Sequence, residues 1–185
     1  EAKRARESSD TEYNVACTVE PANFNAPGQV VVSGSVDAVT ELEKIITGKA
    51  IRGVMVKRLS VSAPFHSSLM KPAREVMDKI FAQAKAKGLL GELSTCYIPN
   101  RTAKMTQEKG VIFPLLSEQV DHSVLWKQSV EHLIENEITL AFEFGPGKVL
   151  QGLAKRIAKN KEAKFETVPV YDLESLKVAQ GMMKS

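Results

Sequence analysis

Residues 14–20 alternate polar and apolar side chains and are rich in β-branched types, and residues 29–33 form a short apolar run; both patterns predict strands. The stretch between them carries turn chemistry at both ends, Pro21 and Pro27-Gly28, and reads as a loop. Ser35 is placed to cap a helix whose apolar positions Val36, Val39, Leu42, Ile45 and Ile46 recur at helical spacing and stop at Gly48. A strand over 54–61 follows. With residues 1–7 read as the polar end of a helix, this order is a split βαβ unit without its first strand, so residues 1–61 are expected to form part of a small ferredoxin-like α+β subdomain. After Pro64 the grammar changes to strict alternation. A helix over 68–87 has the inner stripe Leu69, Ala73, Val76, Met77, Ile80, Phe81 and Ala84. A strand over 94–98, an irregular basic loop and helices over 114–120 and 123–136 follow. A strand over 138–144, a helix over 148–159, a strand over 166–171 and a closing helix complete the order. Alternation of this kind implies a mainly parallel α/β sheet over 62–185.

Composition narrows the class without naming a function. The 185 residues are 43% hydrophobic and 25% charged, which fits an ordinary globular chain and excludes collagen-like, coiled-coil and wholly disordered readings. A net charge of +3 gives no argument for nucleic acid as a partner. Cys17 and Cys96 have neither CxxC nor Cys/His spacing, so no disulfide framework and no metal site is signalled. No apolar run approaches the roughly 18 residues of a membrane span, and the start Glu-Ala-Lys-Arg-Ala-Arg lacks a signal-peptide core, so a soluble cytoplasmic location is expected. The absence of an initiator Met suggests that Glu1 is a cut.

Chemistry concentrates around one histidine. His66 lies after an expected strand and just before an expected helix, at the sheet edge where sites of α/β proteins form. A neutral imidazole there can act as a general base; it can equally be a helix-flanking residue that satisfies local hydrogen bonds. His122, in a turn, and His132, inside an amphipathic helix, read as structural. Gly145-Pro146-Gly147-Lys148 lacks the Walker spacing GxxxxGK[ST] and reads as a tight strand-to-helix turn. No GxSxG nucleophile elbow is present.

Three segments taken in order carry a resemblance. They are Asn23-Phe24-Asn25-Ala26-Pro27-Gly28-Gln29-Val30-Val31-Val32-Ser33-Gly34, Pro64-Phe65-His66-Ser67-Ser68-Leu69-Met70-Lys71-Pro72 and Phe144-Gly145-Pro146-Gly147-Lys148-Val149-Leu150-Gln151-Gly152-Leu153. Together they resemble the malonyl-CoA:acyl carrier protein transacylases of fatty acid and polyketide synthesis. The resemblance implies an α/β-hydrolase-like core with an inserted ferredoxin-like subdomain, both partial here. It also implies ping-pong transfer of malonyl from coenzyme A, through an acyl-serine, to the phosphopantetheine thiol of acyl carrier protein. The coenzyme A thioester is then a substrate, and no permanently bound cofactor is expected.

On that resemblance His66 is the catalytic histidine, and Gln119 supplies the backbone carbonyl that orients its other ring nitrogen. Asn25 matches a cleft-facing asparagine. Phe65 matches a bulky residue that crowds an α-methyl branch, a lean toward malonyl over methylmalonyl. Ala63-Pro64 and Ser123 depart from the family pattern. The family's Gln-rich oxyanion loop, Gly-His-Ser-Leu-Gly turn and carboxylate-binding arginine have no counterpart, so the chain is expected to be the C-terminal part of a longer enzyme and inactive alone. Arg101, Lys155 and Arg156, with Lys104, Lys109 and Lys159 nearby, are candidate docking charges for the acidic carrier protein, or simply a solubilising surface. A non-catalytic carrier-binding module and, less well matched, a general α/β-hydrolase-type esterase are the competing readings.

Overall fold

The computed structural model describes residues 17–49, 51–89 and 91–183. The expected helix over 1–7 and the first residues of the expected strand over 14–20 lie outside these. Strands β1 (Val19–Ala26) and β2 (Gln29–Gly34) pair antiparallel from Val19↔Gly34 to Ala26↔Gln29. Within the described residues the strand therefore starts at Val19, and it runs through the stretch read as a loop. The reason is the turn: Pro27 fixes one φ, Gly28 takes φ +73°, and the chain reverses within two residues. Gly34 closes the ladder, where a Cβ would stand 2.0 Å from the Thr18 carbonyl.

Helix α1 (Val36–Gly48) starts at Ser35, whose hydroxyl accepts from the Ala38 amide at 3.4 Å. The strand expected over 54–61 does not form. Among the described residues β2 pairs with β1 alone, and Val54, Met55, Leu59 and Val61 are all more than half exposed, so β-branched composition has no ladder to join. Arg58 ties this segment to α1 through Glu43, at 2.7 Å, and Thr40, at 2.9 Å.

A 3-10 turn (Ser68–Met70) leads into helix α2 (Lys71–Ala86). The strand expected over 94–98 is reduced to one antiparallel bridge, Tyr97↔Thr106, because the loop after it folds straight back. Helix α3 (Lys109–Glu118) starts five residues before the expected Pro114 and keeps that proline inside. Packing overrides local preference here: Ile112 is buried, and Phe113 meets Phe81 of α2 with ring centroids 5.0 Å apart. Helix α4 (Trp126–Glu135) starts three residues later than expected. Its would-be first turn is held extended by β1, since Val124 donates to the Ala22 carbonyl at 2.8 Å and accepts from the Phe24 amide at 2.9 Å.

Strand β3 (Leu140–Phe144), helix α5 (Val149–Asn160) and strand β4 (Glu166–Val170) form a parallel βαβ unit in register from Leu140↔Glu166 to Phe144↔Val170. Helix α6 (Leu173–Met182) follows, capped by Asp172 in a reciprocal box with Ser175. The bonds from Ser175 hold the Asp172 carboxyl below the usual carboxylate range. The core lies between the hairpin and helices α4 and α5: Ala26, Val130, Leu153, Ala154 and Ile157 pack together with Trp126, Ile134 and Phe165 at the margin. Among the described residues no helix is long and apolar enough to cross a membrane.

Candidate active site

Two pieces of chain distant in sequence meet at His66. The first is the turn before α2, where His66 adopts φ +60°, a left-handed conformation that an L-residue holds only when its surroundings fix it. Ser67, fully buried, ties the turn to itself by donating to the Pro64 carbonyl at 2.7 Å. The second piece is the end of α3. The last carbonyls of a helix have no intrahelical donor, and here the turn bearing His66, far earlier in the chain, supplies donors to the carbonyls just past the end of α3. His66 Nδ1 lies 2.7 Å from the Gln119 oxygen, and the His66 amide donates to the Val120 carbonyl at 3.3 Å. A carbonyl has no hydrogen to give. Nδ1 is therefore the donor, and the neutral half-buried ring carries its lone pair on Nε2. Among the described residues Nε2 has no hydrogen-bond partner, so the ring can accept a proton there.

The support of Gln119 extends outward. Its side-chain oxygen accepts from Asn100 Nδ2 at 2.8 Å. Arg74 of α2 reaches across to Asp121 at 3.4 Å and Glu118 at 3.9 Å, two residues after and one before Gln119. Asp121 is nearly buried and is also bonded by His122 Nδ1 at 2.7 Å. Asn100, Arg74, Glu118 and Asp121 were not singled out by the sequence, because each takes a partner well separated along the chain, and His122, read as structural, bonds the adjacent Asp121.

The other expected site residues are placed differently. Phe65 stands beside His66 with 49% of its surface exposed. Asn25 is half-buried on β1 near the hairpin tip, at an irregularity of the ladder between Phe24 and Ala26. Arg101 pairs with Glu118 at 3.5 Å. Arg156 binds the hairpin turn, at 2.5 Å from the Gln29 side-chain oxygen and 3.2 Å from the Pro27 carbonyl. Lys155 is exposed. His132 accepts from the Met105 amide at 3.2 Å and anchors the basic loop. In the Gly145–Gly147 turn, Glu143 receives the Leu150 and Gln151 amides at 2.9 and 2.8 Å. The helix N-terminus that a phosphate would need is already occupied by a carboxylate. Cys17 and Cys96 are free and exposed.

No family model matches the chain. It is 33% identical over 166 residues to a malonyl CoA-acyl carrier protein transacylase of Bacillus subtilis, covering 90% of this chain and 49% of that protein. The chain is homologous to malonyl CoA-acyl carrier protein transacylases. A solved transacylase of that name from Clostridium perfringens is 32% identical, with a TM-score of 0.77 over 91% of this chain and 50% of its own. A malonyl-transacylase solved in complex with its type II PKS acyl-carrier protein is 33% identical, with a TM-score of 0.74 over 88% of this chain and 50% of that one. The chain thus spans about half the length of the curated transacylases it matches, and its α/β architecture is theirs over that span.

Proposed function

We propose that this chain is the histidine-bearing part of a malonyl-CoA:acyl carrier protein transacylase, a cytoplasmic acyltransferase of fatty acid synthesis whose serine lies outside these residues. One observation carries the reading: the 2.7 Å contact that fixes His66 Nδ1 on the Gln119 carbonyl and leaves Nε2 as the proton acceptor. In a serine triad a carboxylate orients the histidine; here a helix-end carbonyl does so. In the first half-reaction Nε2 takes the serine hydroxyl proton as the oxygen bonds the thioester carbon. The C–S bond breaks, and coenzyme A leaves as the thiol with that proton. In the second, the phosphopantetheine thiol gives its proton to Nε2, its sulfur bonds the malonyl carbon, and the serine oxygen leaves protonated.

Phe65, exposed beside the ring, is suited to line the acyl pocket and crowd an α-branch; Asn25 would reach it only from the hairpin. Of the cations proposed for carrier docking, Arg101 pairs with Glu118 and Lys109 with Glu92, whereas Arg156, bonded to the neutral Gln29 and Pro27 oxygens, and the exposed Lys104, Lys155 and Lys159 keep their charge available to an acidic partner. Residues 1–61 belong on this reading to a ferredoxin-like subdomain and 62–185 to an α/β-hydrolase-like core, each completed by chain outside them. The test is His66→Ala in the complete enzyme, assayed for malonyl transfer to carrier protein. Loss of a general base is expected to slow transfer by roughly 10² to 10⁴. A near-normal rate removes the assignment, and carrier binding without any transfer by the unmodified protein favours the non-catalytic module.

A further inference from the structure

We propose that Glu20 is a positioning residue for His66, an inference that rests on the transacylase reading. His66 is held on one side by the carbonyls of Gln119 and Val120; the other side of its turn is held by Glu20. One oxygen of that carboxylate accepts the Ser68 amide at 3.1 Å, and the other accepts the Ser68 hydroxyl in a very short hydrogen bond. Ser68 is two residues beyond His66 and opens the 3-10 turn, so the carboxylate satisfies an amide that the helix start leaves unpaired. A residue at φ +60° relaxes when its neighbours are released, and in this turn the downstream neighbour is fixed by Glu20.

The placement of Glu20 gives it a second consequence. It lies on β1, and two and four residues further along the same strand Ala22 and Phe24 take both backbone groups of Val124, five residues beyond Gln119. One strand therefore registers both sides of the site: the turn bearing His66 through Glu20, and the segment bearing the Gln119 carbonyl through Val124. The hairpin sets the relative position of donor and acceptor without touching the ring.

In the complete enzyme Glu20→Ala is expected to lower kcat for malonyl transfer about tenfold, with the malonyl-CoA KM within about twofold, as loss of alignment rather than of binding does. Glu20→Gln keeps both contacts, its oxygen accepting the Ser68 amide and its NH2 donating to the Ser68 hydroxyl, and is expected to recover most of that loss. Ser68→Ala removes only the hydroxyl contact and is expected to cost about threefold. It also decides the matter should Glu20→Ala not fold. The spectroscopic readout is the His66 Nδ1–H proton resonance, expected to move or broaden in Glu20→Ala and to return in Glu20→Gln. A kcat per folded molecule equal to wild type in Glu20→Ala and Ser68→Ala, or a Glu20→Ala variant that lowers only the melting temperature, overturns the proposal. Failure of the unmodified enzyme to transfer malonyl at all would instead defeat the transacylase reading, and the His66 resonance would still judge the role of Glu20.

Discussion

Residues 119–124 and 54–61 have opposite sequence character and opposite fates. The second stretch has the stronger strand pattern, with Val54, Val56, Leu59 and Val61, yet it is exposed and tied to the body mainly by Arg58. The first has no periodicity to speak of. Even so, Gln119, Val120 and Val124 place backbone groups on His66, Ala22 or Phe24, and Gln119 and Asp121 have side chains bonded across the fold. Intrinsic preference describes what a backbone can do, and the available partners decide whether it does so. The ordered irregular segment also holds the carbonyl on which the candidate chemistry depends.

The sharpest way to break the contrast is to release the ordered segment. Arg74→Met removes the cation facing Asp121 and Glu118 and leaves the nearly buried Asp121 carboxylate with His122 as its side-chain partner among the described residues. Removing one partner of a buried pair costs about 3 to 5 kcal/mol. With 29% of the Arg74 side chain exposed and nitrogen–oxygen distances of 3.4 to 3.9 Å, roughly 2 kcal/mol is expected here by urea unfolding of the complete protein. The transfer rate should fall as well, since the carbonyl that orients His66 lies between the two carboxylates. Stability unchanged within about 0.5 kcal/mol would mean that the segment is fixed by its backbone bonds alone. Asn100→Ala is a milder probe of the same segment. It deletes the 2.8 Å bond to the Gln119 side chain and is expected to cost about 1 kcal/mol. Because the Gln119 backbone carbonyl is untouched, kcat is expected to stay within about twofold of wild type. A loss comparable to that of Arg74→Met would show that the side chain, too, sets the carbonyl direction.

Much of the fold was legible because local signals and tertiary packing agree there. The β3–α5–β4 unit matches its apolar runs and helical stripe, and α2 ends one residue from its expected limit. Where the two disagreed, long-range partners prevailed: Phe81 draws α3 back past Pro114, and β1 holds Val124 out of α4. At the site, the position of His66 at a strand-to-helix edge was readable, and its pairing with Gln119 entered only through resemblance. Glu20, Asn100 and Arg74 were not readable, because nothing in a single sequence reports that Glu20 meets Ser68 48 residues later. The exposed segment 54–61 shows the converse: a strand pattern implies a partner without identifying it.

That partner is the subject of the smallest expected effect. If residues 1–61 belong to a ferredoxin-like subdomain, the complete protein supplies a strand beside 54–61 and the segment joins a ladder. The amides of Val54, Val56 and Arg58 would then exchange with deuterium as slowly as those of Asp121 and Val124. Val56→Thr would cost some tenths of a kcal/mol, within the roughly 1 kcal/mol span of strand preferences. Rapid exchange across 54–61 in the complete protein, with Val56→Thr neutral, would remove the subdomain assignment. It would leave the His66 site untouched, because the hairpin contacts that hold that site come from β1, and none of them passes through these residues.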